Sequence, residues 1–324
     1  MIKKDIGISL GSDNTYIYFQ KENRIIKFKT VVSIDTSISE IVEIGEKAIL
    51  MSEKCPSNII IKRPIKKGKV EDIELTQELL RKVLKEERIK SNITNPNVLL
   101  SIDNNLNEVE KRAIIETINE LRFKNLYTMD SLKLIALGIG MDISKPEANM
   151  IIDIGYETTK IGVLSMNNII NYKCIYIGSN NFDHDIINYL RKKYKLLISN
   201  KQAEEIKENE NNENNVIKGK NIITGKPKSI TITREDILIS IDKTINNIIE
   251  ELKLMIENLS ADVFNDISKK GIVITGGGSL LIGLREKLEE ELGICILETL
   301  TPEENIINGI KYVLDNNISL ANKI

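Results

Sequence analysis

The chain has 324 residues, of which 41% are hydrophobic and 28% charged, and its formal net charge is −2. This length is sufficient for two domains with separate hydrophobic cores, and the composition argues against a disordered or fibrous protein. The nearly balanced charge argues against a nucleic-acid partner, because proteins that bind nucleic acid usually carry a basic excess.

The first half of the chain alternates short strands with amphipathic helices, as an α/β protein does. Apolar runs predict strands at residues 5–10, 15–20, 25–32, 41–44 and 98–102. Apolar residues at helical spacing predict helices at residues 75–84, 107–121 and 131–138.

The second half continues the alternation. Its predicted strands are residues 148–154, 158–165, 221–224, 229–233 and 271–275, and its predicted helices are residues 183–194, 201–207, 234–259 and 281–292. Thr233 is the expected N-cap of the longest helix. The polar run at residues 208–215 predicts an exposed loop, and Gly225 to Pro227 predict a hairpin turn.

Two segments share one plan. Residues 5–20 and 149–165 each contain an apolar strand, a turn with glycine, a threonine and a second apolar strand. Their separation is close to half the chain, which predicts two lobes that arose by duplication and face each other across a cleft. The apolar spacing within residues 306–314 predicts a final helix that packs on the first lobe.

Three turns that carry glycine follow apolar strands, at Gly11, at Gly155 and at residues 276–278. Glycine at such a turn lets backbone amides approach an anion, and a helix that starts nearby adds positive potential. One such turn is weak evidence, but three in this arrangement predict a phosphate-binding site.

The same segments resemble the MreB family of bacterial actin homologues. Residues 5–15 resemble its first phosphate loop, whose pattern is DIGIDLGTANT, and residues 153–159 resemble its second, DIGGGTT. Residues 271–281 resemble the adenosine motif of the family. Shorter matches lie at residues 61–64, 108–113 and 203–207, so the resemblance extends from residue 2 to about residue 315.

The resemblance implies an actin-like ATPase fold of two lobes, each with a ribonuclease-H-like core and a small inserted subdomain. It implies ATP or ADP and Mg²⁺ as cofactors in the cleft. The expected boundaries are residues 1–30, 62–145 and 308–324 for the first core, 31–61 for its subdomain, 146–178 and 236–307 for the second core, and 179–235 for its subdomain.

The resemblance also implies the site residues. The β- and γ-phosphates would meet Gly11, Ser12, Asp13 and Asn14, and the γ-phosphate also Gly155, Tyr156, Glu157 and Thr158. The nucleoside would meet Glu204, Glu205, Ile206, Lys207, Gly276, Gly277, Gly278, Ser279 and Leu280. Asp153 would hold the metal through water, and Thr158 and Asp130 are the catalytic candidates. Taken alone, residues 204–207 fit a solvated helix face better than a nucleotide contact, and only the wider match reverses this. Asp13 adds an acidic group to the first loop.

Four departures from the family pattern affect the chemistry. Ser9 replaces the aspartate that helps to hold hydrated Mg²⁺, and a hydroxyl brings no charge to a metal. Ser131 replaces the glutamate that orients the attacking water, and serine is too short for that task. Tyr156 and Glu157 replace two glycines. Tyrosine is strained if the turn needs a positive φ. Glu157 brings negative charge near the γ-phosphate. We therefore expect slow or absent ATP hydrolysis.

The resemblance implies a cytoskeletal protein that polymerises into filaments, with paired protofilaments, in cell shape or motility. Two alternatives stay open: a non-catalytic regulator that co-assembles with homologous actins, and a kinase or chaperone of the same superfamily. The isolated cysteines Cys55, Cys174 and Cys295 and the absence of a long apolar run or a signal peptide predict a cytoplasmic protein. Membrane association is a further possibility, although residues 85–95 are polar.

Overall fold

The computed structural model describes residues 5–52, 57–87, 96–121, 123–208 and 215–318. The chain divides into two compact units, Met1–Asp142 with Glu304–Ile324, and Ile143–Glu303. The finer division into cores and small subdomains stays a prediction. Cys55 and residues 209–214 of the predicted polar loop lie outside the described residues.

The first unit contains ten described strands and five described helices. The strands are β1 (Ile6–Leu10), β2 (Asn14–Phe19), β3 (Arg24–Lys29), β4 (Val32–Asp35), β5 (Glu40–Ile44), β6 (Ile59–Lys62), β7 (Ile65–Lys66), β8 (Lys69–Val70), β9 (Val98–Ile102) and β10 (Leu126–Asp130). The helices are α1 (Gly45–Ser52), α2 (Ile73–Glu86), α3 (Glu108–Asn119), α4 (Ser131–Gly138) and α10 (Asn305–Asp315).

The second unit contains eight described strands and five described helices. The strands are β11 (Asn149–Ile154), β12 (Thr159–Ser165), β13 (Asn168–Ile175), β14 (Leu196–Leu197), β15 (Asn215–Asn221), β16 (Pro227–Ile232), β17 (Ile272–Thr275) and β18 (Ile296–Glu298). The helices are α5 (Ser179–Tyr194), α6 (Asn200–Glu208), α7 (Arg234–Glu257), α8 (Ala261–Lys270) and α9 (Leu284–Leu292); Gly277–Leu280 and Pro302–Glu304 form 3₁₀ turns.

The main sheets of the two units have the same topology. In the first, the strand order is β10-β9-β1-β2-β3, with β10, β9 and β1 parallel and the β1-β2-β3 meander antiparallel. In the second, the order β18-β17-β11-β12-β13 has the same directions throughout. The repeat predicted from residues 5–20 and 149–165 therefore extends to whole sheets, and both phosphate-loop candidates join β-strands at equivalent places.

Alternation along β1 places two kinds of side chain on its two faces. Ile6 and Ile8 belong to a core that includes side chains of α2 and α3. Gly7 lies on the opposite face, against Ile310 of α10. This second face is covered by α4 and α10, whose apolar residues form a separate core with Tyr16, Tyr18 and Leu99. The predicted packing of the last helix on the first lobe is confirmed.

The helices α10 and α4 cross at very short range. A Cβ built on Gly309 would lie 1.8 Å from the carbonyl oxygen of Leu134 in α4. Only glycine permits this approach, because any side chain there would enter the backbone of the other helix. Beyond the crossing, the Tyr18 hydroxyl donates to Oδ1 of Asp315 at 2.9 Å, which ties the end of α10 to β2.

Some predicted elements differ from the structure at their ends. The run at residues 25–32 forms two strands in different sheets, β3 and β4. The strand predicted at 221–224 is wrong after Asn221, which ends β15: residues 222–224 form the hairpin turn, because Oδ1 of Asn221 accepts from the amides of Ile223 and Thr224. The helix predicted at 281–292 starts at Leu284, after Gly283 with φ +80°. Thr233 caps α7 as predicted. None of the helices in the described ranges combines the length and the apolar character that a membrane span requires.

Candidate functional site

The first candidate loop joins β1 to β2, which pair as far as Leu10 and Thr15. Within it, Gly11 and Asn14 are partly exposed, and Ser12 and Asp13 are buried. The Ser12 hydroxyl accepts from the amide of Gly68 at 3.2 Å, so the turn between β7 and β8 is held against the loop. Buried Oδ1 of Asn14 has no hydrogen-bond partner among the described residues. Such an acceptor is costly unless a ligand or water donates to it.

Two cations compensate the acidic group of this loop. Asp13 forms ion pairs with Nζ of Lys29 at 2.7 Å and with Nη1 of Arg63 at 2.9 Å. Arg63 also donates to the carbonyl oxygen of Ser12 at 3.2 Å. The negative charge expected from Asp13 is therefore offset by its neighbours. The roles of Lys29 and Arg63 were not predicted from the sequence.

Serine and aspartate side chains lie at the carboxyl ends of the parallel strands in the first unit. Ser9 of β1 accepts a hydrogen bond from Ser101 of β9 at 3.3 Å. Ser131 is 1% exposed, and its hydroxyl donates to Oδ1 of Asp103 at 2.6 Å. Asp130 caps α4 by accepting from the amide of Leu132 at 2.8 Å. The catalytic role of Asp130 stays a prediction, and this hydrogen bond stabilises the start of α4.

The second candidate loop joins β11 to β12 in the second unit. The amide of Gly155 donates to the carbonyl oxygen of Thr158 at 2.8 Å and closes the turn. Amides at the start of α5, from Ser179 and Asn180, donate to the carbonyl oxygens of Gly155 and Tyr156 at 2.9 Å each.

The strain considered for the second loop does not arise. Tyr156 and Glu157 are not among the described residues with positive φ. The turn therefore accepts tyrosine in place of glycine without the left-handed conformation that would penalise it. Both side chains are half-buried.

The second unit brings its glycine-rich turn against the second loop. Gly276 has φ +82°, and a Cβ built on it would lie 2.4 Å from the carbonyl oxygen of Ile154 and 2.5 Å from Oδ1 of Asp153. Both facts require glycine. The Ser279 hydroxyl donates to the carbonyl oxygen of Gly276 at 2.8 Å and stabilises the turn. Two sequence-predicted motifs thus meet at the carboxyl ends of β11 and β17.

A cavity of about 760 Å³ lies beside this turn. Its lining includes Ser279 and Leu280, which were predicted on the nucleoside side, together with Arg234 and Arg285. The volume lies within the usual range for small-molecule pockets, roughly 300–1,000 Å³.

Asp153, the predicted contact for a metal-bound water, has a cationic neighbour. It lies opposite Lys160 in the β11–β12 pairing, and the Lys160 ammonium is 3.3 Å from Oδ2 of Asp153. Both side chains are buried. In the part of the chain that is described, no cluster of three or more His, Cys, Asp or Glu side chains could hold a metal ion.

Residues 204–207 of α6 have mixed environments. Ile206 packs in the core of the second unit, and Glu205 is exposed. Lys207 is 3% exposed and forms a buried ion pair with Asp183 of α5 at 2.8 Å. Burial raises the pKa of the Asp183 carboxyl, and the charge of Lys207 only partly opposes this. The described contact of Lys207 therefore holds α6 on α5.

Comparisons with known proteins match the chain over nearly its whole length. A family model described as MreB/Mbl protein matches residues 3–322. Mbl of Bacillus subtilis, a cell shape-determining protein, is 32% identical over 323 residues, which cover 98% of this chain and 97% of that protein. MreB of Escherichia coli, also named as cell shape-determining, is 29% identical over 321 residues, with 95% and 92% covered.

Solved structures show the same fold. MreB5 of Spiroplasma citri bound to AMPPNP superposes with a TM-score of 0.92 at 25% identity, covering 98% of each chain. A double helical filament of MamK superposes with a TM-score of 0.80 at 18% identity, covering 97% of this chain and 99% of that one.

Proposed function

Because the chain belongs to the MreB/Mbl family, we propose that it is a cytoplasmic actin-like protein that binds ATP or ADP and polymerises into filaments that act in cell shape or motility. The observation that carries this proposal is the contact of Gly276 with Ile154 and Asp153, where a side chain would collide. This contact brings the two motifs of the second unit together. MreB5 of Spiroplasma citri, which has the same fold, was solved with AMPPNP bound.

The residues present fit a nucleotide. Backbone amides of residues 11–14 and 156–158 are the proposed donors to phosphate oxygens, as in other glycine-bearing loops. The unpaired Oδ1 of Asn14 supports a bound donor at the first loop. The ion pairs with Lys29 and Arg63 offset the negative charge of Asp13, which would otherwise repel phosphate. The nucleoside side is proposed at Gly276 to Leu280.

The donor set fits Mg²⁺ only as an ion that the nucleotide brings with it. Mg²⁺ usually keeps several waters and binds through one or two carboxylates together with substrate phosphates. Here Asp153 is the one proposed protein carboxylate, acting through water, and Ser9 adds no charge. When bound, the ion would neutralise phosphate charge. Lys160 already offsets the charge of Asp153 and competes for it.

Removal of Mg²⁺ should therefore weaken nucleotide binding only modestly. We expect the dissociation constant for ATP to rise by less than about tenfold when EDTA replaces Mg²⁺, because the protein contributes a single carboxylate that is already paired. Isothermal titration in matched buffers with Mg²⁺ or EDTA measures this. A loss of about 100-fold or more would show that the ion dominates binding and would contradict the role given to Lys160.

Assembly is tested by sedimentation and electron microscopy. The purified chain, with ATP, with ADP and without nucleotide, is expected to pellet and to form filaments, most strongly with one nucleotide. Monomers that persist at high concentration in all three conditions would contradict self-assembly. Pelleting only in the presence of an active homologue would favour the alternative of a co-assembling regulator, which Ser9 and Ser131 support.

A further inference from the structure

Asp103 occupies a central place at the carboxyl edge of the first sheet. It directly follows β9, which lies between β1 and β10 in the parallel part of the sheet. The carboxyl ends of parallel strands meet at one edge, where α/β folds bind ligands. Asp103 is thus flanked by the first phosphate-loop candidate after β1 and by Ser131 after β10.

A buried hydroxyl fixes the orientation of this carboxylate. Ser131 is 1% exposed, and its hydroxyl donates to Oδ1 of Asp103 over 2.6 Å, within the usual range of an O–H···O hydrogen bond. Ser131 stands where the family pattern has the glutamate that orients the attacking water. The side chain at that position is too short to act directly, but its hydroxyl holds the carboxylate that follows the neighbouring strand β9.

The same carboxylate lies beside the turn between β7 and β8, which is held against the first loop. Its Oδ2 is 3.0 Å from the position that a Cβ on Gly68 would take. The amide of Gly68 in turn donates to the Ser12 hydroxyl at 3.2 Å. Ser131, Asp103, Gly68 and Ser12 therefore form one continuous chain of neighbours. A carboxylate offers about four lone-pair sites, so Asp103 can accept from Ser131 and from a water at once.

We propose that Asp103 is the catalytic carboxylate of this chain for nucleotide hydrolysis, in place of the glutamate missing at Ser131; this rests on the proposed binding of ATP. Asp103 accepts a proton from the attacking water, whose oxygen forms a bond to the γ-phosphorus. The bond from that phosphorus to the β–γ bridging oxygen breaks, and its electron pair leaves with ADP. The proton then passes to phosphate or solvent. Ser131 is a positioning residue for Asp103.

The test measures binding and turnover separately in the full chain. Binding of ATP is measured by isothermal titration, and hydrolysis by release of phosphate under single-turnover conditions with protein in excess. Asp103→Asn keeps the size of the side chain but accepts no proton. It should leave the dissociation constant within about twofold and slow hydrolysis about 100-fold, at the low end of the range for a positioned general base, roughly 10²–10⁴.

Two further variants make the result specific. Ser131→Ala removes the hydroxyl that orients Asp103 and should slow hydrolysis about tenfold, with affinity unchanged; it also serves as the test if Asp103→Asn fails to fold. Asn104→Ala, at an exposed position next to Asp103, is the matched control and should hydrolyse ATP like the unaltered chain.

The outcomes separate the inference from the function on which it rests. If the unaltered chain binds no nucleotide, the proposed function itself fails. If it binds ATP and either shows no turnover at all or turns over equally fast with Asp103→Asn, the inference on Asp103 is overturned while nucleotide binding stands. A loss of turnover in Asp103→Asn and Ser131→Ala, but not in Asn104→Ala, supports it.

Discussion

Gly309→Ala is expected to lower the free energy of unfolding by roughly 3 kcal/mol, the upper part of the usual cost of overpacking. The added Cβ would lie 1.8 Å from the Leu134 carbonyl oxygen, and a backbone atom within a helix cannot move aside as a side-chain tip can. α10 would have to move away from α4, and its apolar face would lose contact with β1 and β2. Urea unfolding followed by circular dichroism measures the change.

An exposed position on the same helix provides the control. Tyr312 is 45% exposed, and Tyr312→Ala should change the free energy of unfolding by less than about 0.5 kcal/mol, as surface substitutions usually do. Equal midpoints for Gly309→Ala and the unaltered chain would mean that α10 does not cross α4 as closely as described.

Lys207→Met should destabilise the second unit by about 3–5 kcal/mol at neutral pH. Removing one partner of a buried ion pair leaves the other charge without compensation, and this usually costs that amount. The charge left behind is that of Asp183, whose side chain is 7% exposed. Methionine keeps most of the volume of the lysine side chain, so the lost stability is due mainly to the missing charge. Chemical unfolding of the variant measures it.

The pH dependence of this loss has a defined sign. Burial raises the pKa of Asp183 in the folded protein, so the folded state holds that proton more tightly than the unfolded state does. Any stability from this group is present below the unfolded pKa of about 3.9 and is lost as pH rises through the folded value. Without Lys207 the folded pKa rises further, so Lys207→Met should be more destabilising at pH 8 than at pH 5.

A second change separates charge from packing. Asp183→Asn combined with Lys207→Met removes the unpaired charge and should recover at least half of the stability lost by Lys207→Met. It should also remove the extra loss at pH 8. If the double variant is as unstable as the single one, the cause is packing and the ion pair is not the source. If the folded double variant still binds nucleotide, Lys207 is not needed to bind the nucleoside.

The fold could be predicted largely from the sequence because its signals are local. Apolar runs of five or six residues identify strands such as β9 and β11, and Thr233 identifies the start of α7. The errors arose where two local signals compete. Ile222 and Ile223 look like part of a strand, but the Asn221 side chain binds the following amides and turns the chain. The pattern of apolar residues gives no information on this competition between side chain and backbone.

The candidate site could be predicted only where it consists of contiguous motifs. The turns at Gly11, Gly155 and Gly276 were found because their residues are adjacent in the chain. The partners of Asp13 and Ser131 could not be found in this way, because Arg63 and Asp103 come from other elements. One signal was available for Asp103: it is an acidic residue directly after a buried strand. In α/β folds, ligands bind at the edge of the sheet where such strands end.

The first unit is interrupted by the second, and this has a consequence for synthesis. Ile307, Ile310 and Val313 of α10 complete a core whose other members include Tyr16 and Leu99, and residues 143–303 lie between them in the chain. A ribosome adds roughly 5–20 residues per second, so on the order of 10 s passes between the emergence of the sheet with α4 and that of α10, which completes the cover of this face. The half that is translated first is completed last, and in that interval its open apolar face is the surface that a chaperone would meet.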